Sequence, residues 1–227
     1  MGKILYQLLF SAVLVLVATT SATAQFAIVD NTGQPFLTKN YTDVQGSAYL
    51  YDSWKKGSVT TARDITYDGI ELMYDQVEDQ LIFKGSGGVA KTFNQPIKAF
   101  TLKASKDNAI LKEQVFLSGF MPIDGAKPAT FYEVLADGEV QLLRRSAKRI
   151  FEELPYGSAT KVKAFKIDSF YYISKEGKLT KIKNDKKSVL QALSDKKTAL
   201  ESYIKTNKLD LKKDEELAKL ITYYNTL

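Results

Sequence analysis

The sequence predicts an α+β fold, with a mainly antiparallel sheet, either curved or sandwiched, followed by a C-terminal two-helix appendage. Short runs of alternating apolar residues recur every 8–12 residues between residues 48 and 183, separated by turn dipeptides. Beyond residue 183 the apolar spacing changes from two residues to three or four. This order of strands followed by helices favours an antiparallel sheet over βαβ units.

The strand region is divided by dipeptides that favour tight turns. We expect hairpins to turn at Asp68-Gly69, Asp137-Gly138 and Glu176-Gly177, because glycine after an acid accepts the backbone angles of such turns. Residues 25–47 contain asparagine, glycine and proline close together and are expected to be irregular.

Two helices are expected in the tail. The first begins near residue 186, with Asn184 and Asp185 as plausible caps, and the second begins near Asp214 with acids in its first turn. Each has one apolar face and one polar face, so we expect a hairpin of helices packed on the sheet or beside it. The apolar positions are Val189, Leu193, Leu200 and Ile204 in the first helix, and Leu217, Leu220, Ile221 and Tyr224 in the second.

The first 24 residues have the layout of a secretory signal peptide. Lys3 precedes an uncharged apolar run, and Ala22-Thr23-Ala24 precedes Gln25 as a candidate cleavage site. The alternative is a retained membrane anchor, although the run is short for a span. We therefore expect export to the periplasm or cell surface and no transmembrane span after cleavage. The expected organisation is a signal peptide over 1–24, a β-rich domain over 25–183 and a helical hairpin over 184–227.

Composition limits the chemistry that the chain can perform. It has no cysteine and no histidine, which excludes catalytic triads with histidine and makes an ordinary zinc site improbable. No pattern identifies a catalytic residue, a metal site or a cofactor. The charge is uneven, with 11 basic and 15 acidic residues over 25–143 and 20 basic and 11 acidic residues over 144–227. Such asymmetry is typical of a solvated basic face or of an acidic partner.

Two groups of residues are candidates for ligand binding. The first is Tyr51 with Trp54, since aromatic rings can stack on sugars, although tyrosine and tryptophan also fill half-buried sheet faces. The second is the densest basic run, which could dock an anionic glycan, a lipid headgroup or another protein, or could protect a strand edge from aggregation. Its basic residues are Arg144, Arg145, Lys148 and Arg149.

Three stretches in this order carry a resemblance to a known group of proteins: "GSAYLYDSWKKGSVT", "FYEVLADGEVQLLRRSAKRI" and "YYISKEGKLTKIKNDKKSVLQALSDKKTALESYIKTNKL". With the leader before them and "LITYYN" after them, the chain resembles a family of uncharacterised exported proteins from Bacteroidota. The resemblance implies export and a common fold, and it transfers no activity and no site residue.

The function expected from these observations is that of an exported, non-enzymatic protein that binds a ligand or assembles with a partner such as an anionic glycan or another envelope protein. Nucleic acid is not expected as a partner, because export separates the protein from it. One alternative is a glycan hydrolase that uses two carboxylates facing each other across a cleft lined by Trp54. The other is an interaction module that docks a partner on its C-terminal helices.

Overall fold

The chain is described by a computed structural model. The described residues are 33–36, 41, 43–103, 105–106, 109–110, 113–154, 156–157 and 159–227, with backbone only for 105–106 and 109–110. The signal-peptide prediction therefore lies outside the described residues, as does most of the segment predicted to be irregular.

Twelve strands form one open sheet, and two further strands form a small separate hairpin. The sheet order is β1-β6-β5-β4-β3-β7-β10-β11-β12-β13-β14, with every neighbour antiparallel, while β2 lies parallel to β13. The predicted fold class is confirmed, as a single open and largely antiparallel sheet followed by helices. The strands are β1 (Gly33–Pro35), β2 (Val44–Gln45), β3 (Lys55–Thr61), β4 (Thr66–Asp75), β5 (Gln80–Lys84), β6 (Ala90–Phe93), β7 (Ile97–Leu102), β8 (Ser105–Lys106), β9 (Ala109–Ile110), β10 (Gln114–Leu117), β11 (Tyr132–Ala136), β12 (Val140–Glu153), β13 (Val162–Lys175) and β14 (Lys178–Ile182).

The C-terminal tail is helical, but the first predicted helix is interrupted. Its two parts are α1 (Lys186–Ala192) and α2 (Lys197–Asn207), joined through Leu193 and a 3₁₀ turn, and α3 (Asp214–Tyr224) follows. Asp185 caps α1 as predicted, since its side chain accepts a hydrogen bond from the backbone nitrogen of Ser188 at 2.7 Å.

The helices pack on one face of the sheet over strands β11 to β14. All eight apolar positions predicted for the helix faces are buried in this cluster, which also takes in the sheet residues Ala136, Val140, Leu142, Ile173 and Ile182. The helices are therefore part of the main core. A second, aromatic cluster lies between strands β3, β4, β5, β7 and β10, and includes Tyr67, Tyr74, Phe83, Phe100, Phe116 and Phe131. A third, smaller cluster covers the opposite face of β11 to β14 and contains Ala126, Tyr132, Leu143, Tyr172 and Leu179.

The turn predictions have different outcomes. A tight turn at Glu176-Gly177 is confirmed, with φ values of 51° and 74°, and Asp137-Gly138 lies in the turn between β11 and β12. The hairpin predicted at Asp68-Gly69 is wrong, because β4 runs through both residues and the chain turns earlier, over 62–65. Gly69 has a φ of 71° beside an irregularity in the pairing of β3 with β4. A left-handed glycine suits a β-bulge as well as a hairpin, so the dipeptide alone does not distinguish them.

Candidate functional site: a projecting β arm and the polar network at its base

Strands β12 and β13 form a hairpin that is longer than the sheet to which it belongs. Their 14 residue pairs run without a shift from Val140–Lys175 to Glu153–Val162. The flanking strands cover only the first part of this length, since β11 pairs no further than Arg144 and β14 pairs only from Tyr171 onward. The distal part, residues 149–167 with its connecting loop, extends past the ends of β11 and β14, and we call it the arm.

Two contacts hold this hairpin, one at the base of the arm and one close to its tip. On the β12 side, the backbone nitrogen of Lys148 donates to the carbonyl of Gln76 at 2.9 Å, so the turn after β4 meets β12 where β11 has ended. On the β13 side, the two residues of β2 pair with Lys163 and Ala164, which lie opposite Glu152 and Phe151, close to the tip of the arm. In the described residues, the β12 edge from Arg149 to Glu153 has no strand beside it.

Exposed apolar side chains are concentrated on the arm. Of the nine large apolar side chains that are exposed in the described part of the chain, five belong to it. They are Ile150, Phe151, Leu154, Tyr156 and Ile167. Directly paired residues share a face, so Ile150 and Ile167 lie on one face, Phe151 lies on the other, and Leu154 and Tyr156 lie in the loop. Clustering of this kind is typical of an interaction surface, whereas scattered apolar residues are ordinary.

Cations surround the aromatic residue of the arm. The guanidinium of Arg149 lies 5.9 Å from the centre of the Phe151 ring, and the Nζ atom of Lys166 lies 5.4 Å from it. Arg149 also donates from Nε to Oδ2 of Asp168 at 2.6 Å. These contacts hold Arg149 over the ring and leave most of its side chain in solvent, with 53% exposed.

The basic run predicted as a binding cluster does not form a single surface. It lies within β12, where successive side chains point to opposite faces. Arg144 and Lys148 therefore share one face, while Arg145 and Arg149 share the other. Among these four, Arg149 is the exposed member, and the other three are half-buried.

Arg144 is the centre of a polar network at the junction of the two larger cores. Its Nε and Nη2 atoms donate to Oε2 of Glu133 at 3.1 and 2.5 Å, and Nη1 donates to Asp214 in the first turn of α3. Glu133 also accepts from Gln114 at 2.9 Å, and Gln114 accepts from the hydroxyl of Tyr51 at 2.5 Å. The network thus joins two predicted site residues, Tyr51 and Arg144, across the sheet.

The pKa values of Arg144 and Lys148 are both shifted from their ordinary values, in opposite directions. Burial lowers the pKa of Arg144, but Glu133 and Asp214 together outweigh that effect and hold the pKa above its ordinary value. Burial lowers the pKa of Lys148, whose Nζ atom donates to two backbone carbonyls, those of Ser47 and Tyr49. Both side chains therefore have internal partners, and their charges serve the fold.

A cleft of about 720 Å³ lies between α3 and strands β10 and β11, with Arg144, Glu133 and Asp214 in its wall. The rings of Tyr203 and Tyr223 stack at its rim, with centroids 3.9 Å apart. Further residues that line it include Glu113, Gln114, Glu215 and Lys219.

The arrangement that glycan hydrolysis was expected to need is only partly present in this cleft. Trp54 is half-buried and does not line it. The two central carboxylates, Glu133 and Asp214, share a single guanidinium as ion-pair partners. The Nζ atom of Lys55 lies 5.1 Å from the centre of the Tyr51 ring, and the predicted stacking of a ligand on Tyr51 and Trp54 stays a prediction.

The exposed apolar residues of the arm were not predicted as site residues. The signal was present in "RIFEELPYG", where three large apolar side chains and a tyrosine interrupt a charged stretch. Alternation in a strand indicates two faces but does not say which face is covered, so this stretch was indistinguishable from ordinary sheet.

Within the described residues, no group of three or more acidic side chains is placed to hold a metal ion. In the same part of the chain, every helix falls short of the length and apolarity that a membrane crossing requires. Comparisons with protein-family models, with curated proteins and with solved structures each found no match.

Proposed function

We propose that this protein is exported and acts by binding or assembly in the periplasm or at the cell surface, using the arm as its contact surface. The observation that carries the proposal is the concentration of exposed apolar side chains on a projecting hairpin whose base is anchored in the core. A soluble surface rarely gathers apolar residues in this way without a partner to cover them.

The anchoring of the arm supports a role in recognition. The same two strands continue into the body. There Leu142 and Ile173 are buried under the helices, on one face of the sheet. Leu143 and Tyr172 are buried in the third cluster, on the other face. A binding element on a rigid scaffold loses less conformational entropy on binding than a free loop does. Two of the half-buried cations at its base, Arg144 and Lys148, already have internal partners, which favours the exposed apolar residues as the contact.

Site-specific photocrosslinking in living cells tests this proposal. A photoreactive amino acid in place of Phe151 or Tyr156 is expected to give a discrete adduct on irradiation, whereas the same substitution at Met121 is not. Met121 is a matched control, because it is also an exposed large apolar residue but lies in the loop after β10. Equal yields at all three positions, or no adduct on the arm, would contradict the proposal.

The proposed location has a separate test. Mass spectrometry of the native protein is expected to find an N-terminal peptide that begins at Gln25, as cleavage after Ala24 requires. An intact Met1 terminus in a soluble intracellular pool would refute export and leave the role of the arm as a separate question.

A further inference from the structure

We propose that the partner of the arm is a second copy of this chain, and that two arms pair antiparallel along the free edge of β12 about a two-fold axis at Phe151. This inference rests on the proposed function, in which the arm is the contact surface, and it names the partner.

The direction of the backbone groups determines which residues can pair. Lys148 donates its N–H to Gln76 on the side of β12 away from β13, and the carbonyl of Ser146 accepts from the Gln76 side chain on the same side. Alternate residues of a strand direct their N–H and C=O groups to the same edge. Ile150 and Glu152 therefore present theirs to the free edge, while those of Phe151 point toward β13.

Symmetric pairing about Phe151 satisfies these groups. It sets Ile150 opposite Glu152 of the second copy, and the two-fold axis repeats that pair, so four backbone hydrogen bonds form across the new edge. Phe151 then meets Phe151 of the second copy as a pair without hydrogen bonds, the arrangement in which facing side chains approach most closely.

The side chains on the Phe151 face are complementary in the same register. Arg149 lies two residues before Phe151 and Glu153 lies two residues after it, so all three share a face. Antiparallel pairing places each Arg149 opposite Glu153 of the other copy, with the two aromatic rings between the two ion pairs. On the other face, the two Ile150 side chains become diagonal neighbours.

The neighbouring symmetric registers are less favourable. A shift toward the tip would set Glu152 directly opposite Glu152 of the second copy, and like charges in that position are destabilising. A shift toward the body would require the N–H of Lys148, which already donates to Gln76. The register about Phe151 is therefore preferred on two independent grounds.

The paired segment is only five residues long, so the interface is small and the association is expected to depend on concentration. In this register Leu154 of each copy continues toward the body of the other.

Sedimentation velocity of the purified full chain over a concentration series tests the proposal. The chain is expected to convert from monomer to dimer as its concentration rises. Glu153→Arg should weaken the association about tenfold or more, because the new arginine of each copy would face Arg149 of the other copy and repel it. Adding Arg149→Glu should restore it, since the exchanged charges again face each other.

Two further variants make the result specific. Glu139→Arg changes an exposed acid near the opposite end of the same hairpin and should leave the association unaltered. Ile150→Pro removes an N–H that points to the free edge, so it should abolish the dimer while the circular dichroism spectrum and melting temperature remain those of a folded protein.

The outcomes distinguish this inference from the proposed function. A chain that stays monomeric at every concentration, or a dimer unaffected by Glu153→Arg and Ile150→Pro, would overturn the arm-to-arm pairing. Adducts with a different protein from Phe151 and Tyr156 would then still support the arm as a contact surface. Adducts of twice the mass of the chain, lost in Glu153→Arg, would support both.

Discussion

The two halves of the β12–β13 hairpin both carry apolar residues on their two faces, and these residues have different environments in the two halves. Near the body, apolar residues on both faces are covered, by the helices on one side and by the third cluster on the other. In the arm, Ile150, Phe151 and Ile167 are exposed, and Phe165 is half-buried against Tyr41. The comparison shows that an apolar residue in a strand contributes to folding only where another layer meets it, and is otherwise available to a partner.

The largest difference in the free energy of unfolding is expected between substitutions of two isoleucines of β13. Ile173 is 2% exposed and Ile167 is 52% exposed. We expect Ile173→Ala to lower the free energy of unfolding by about 2–5 kcal/mol, because it leaves a cavity under the helices. Ile167→Ala should change it by less than about 0.5 kcal/mol. Urea denaturation of both variants measures the difference, and equal losses would show that the arm is part of the cooperative core.

A smaller difference in the free energy of unfolding is expected between substitutions of two arginines of β12. Arg144→Met removes the cation shared by Glu133 and Asp214 and should cost about 2–3 kcal/mol, because charged hydrogen-bonding partners are left partly buried. Arg149→Met loses an exposed pair with Asp168 and should cost no more than about 1 kcal/mol. Urea denaturation of the two variants measures both losses of stability.

A second substitution tests whether the ion pair is the source of the stability that Arg144→Met loses. Neutralising one of the two acids with Glu133→Gln should recover part of the stability that Arg144→Met loses, since one unpaired carboxylate is removed. If the double variant is less stable than Arg144→Met alone, the ion pair is not the source of the loss.

The smallest expected effect is a pH dependence of the contact between the helical layer and β13. Asp195 accepts from the hydroxyl of Tyr224 and from the Nζ atom of Lys175. These hydrogen bonds lower the pKa of Asp195 to about 2 from its ordinary value of 3.8. A lowered pKa stabilises the fold at higher pH, so this contribution is present above about pH 4 and is lost as the pH falls toward 2. Its size is reduced by solvent, since the side chain is about half exposed.

Asp195→Asn isolates this contribution. The variant should be less stable than the native chain at about pH 5, and the difference should narrow at about pH 2.5, where Asp195 is largely protonated in the unfolded chain and begins to be protonated in the folded one. Urea denaturation at the two pH values provides the measurement. A difference that stays constant between them would mean that Asp195 acts through its hydrogen bonds alone.

The accuracy of prediction also differs between regions of the molecule. The helix faces were predicted residue by residue, because all eight positions follow from a spacing that a helix imposes locally. The break between α1 and α2 was missed. There Asp195 bonds Lys175 and Tyr224, neither of which is its neighbour in sequence.

The candidate site was predicted less completely than the fold. Arg149 was named and lies on the exposed face of the arm, but Arg144 and Lys148, which were grouped with it, have internal partners. Tyr51 was named for the stacking of its ring, and no pattern in the sequence indicated that its hydroxyl joins the Arg144 network through Gln114. Each of these three side chains has at least one partner more than 60 positions away in the chain, at Asp214 for Arg144, Ser47 for Lys148 and Gln114 for Tyr51.

The sequence by itself determined the fold class, the positions of the turns at Asp137-Gly138 and Glu176-Gly177 and the apolar faces of the helices, because these depend on contacts between near neighbours in the chain. Only the tertiary structure decided where β11 and β14 end beside the long hairpin, and hence which half of it is buried and which half projects. The physical reason is that burial of a strand depends on the layers that reach it, and their extent is set by distant segments of the chain.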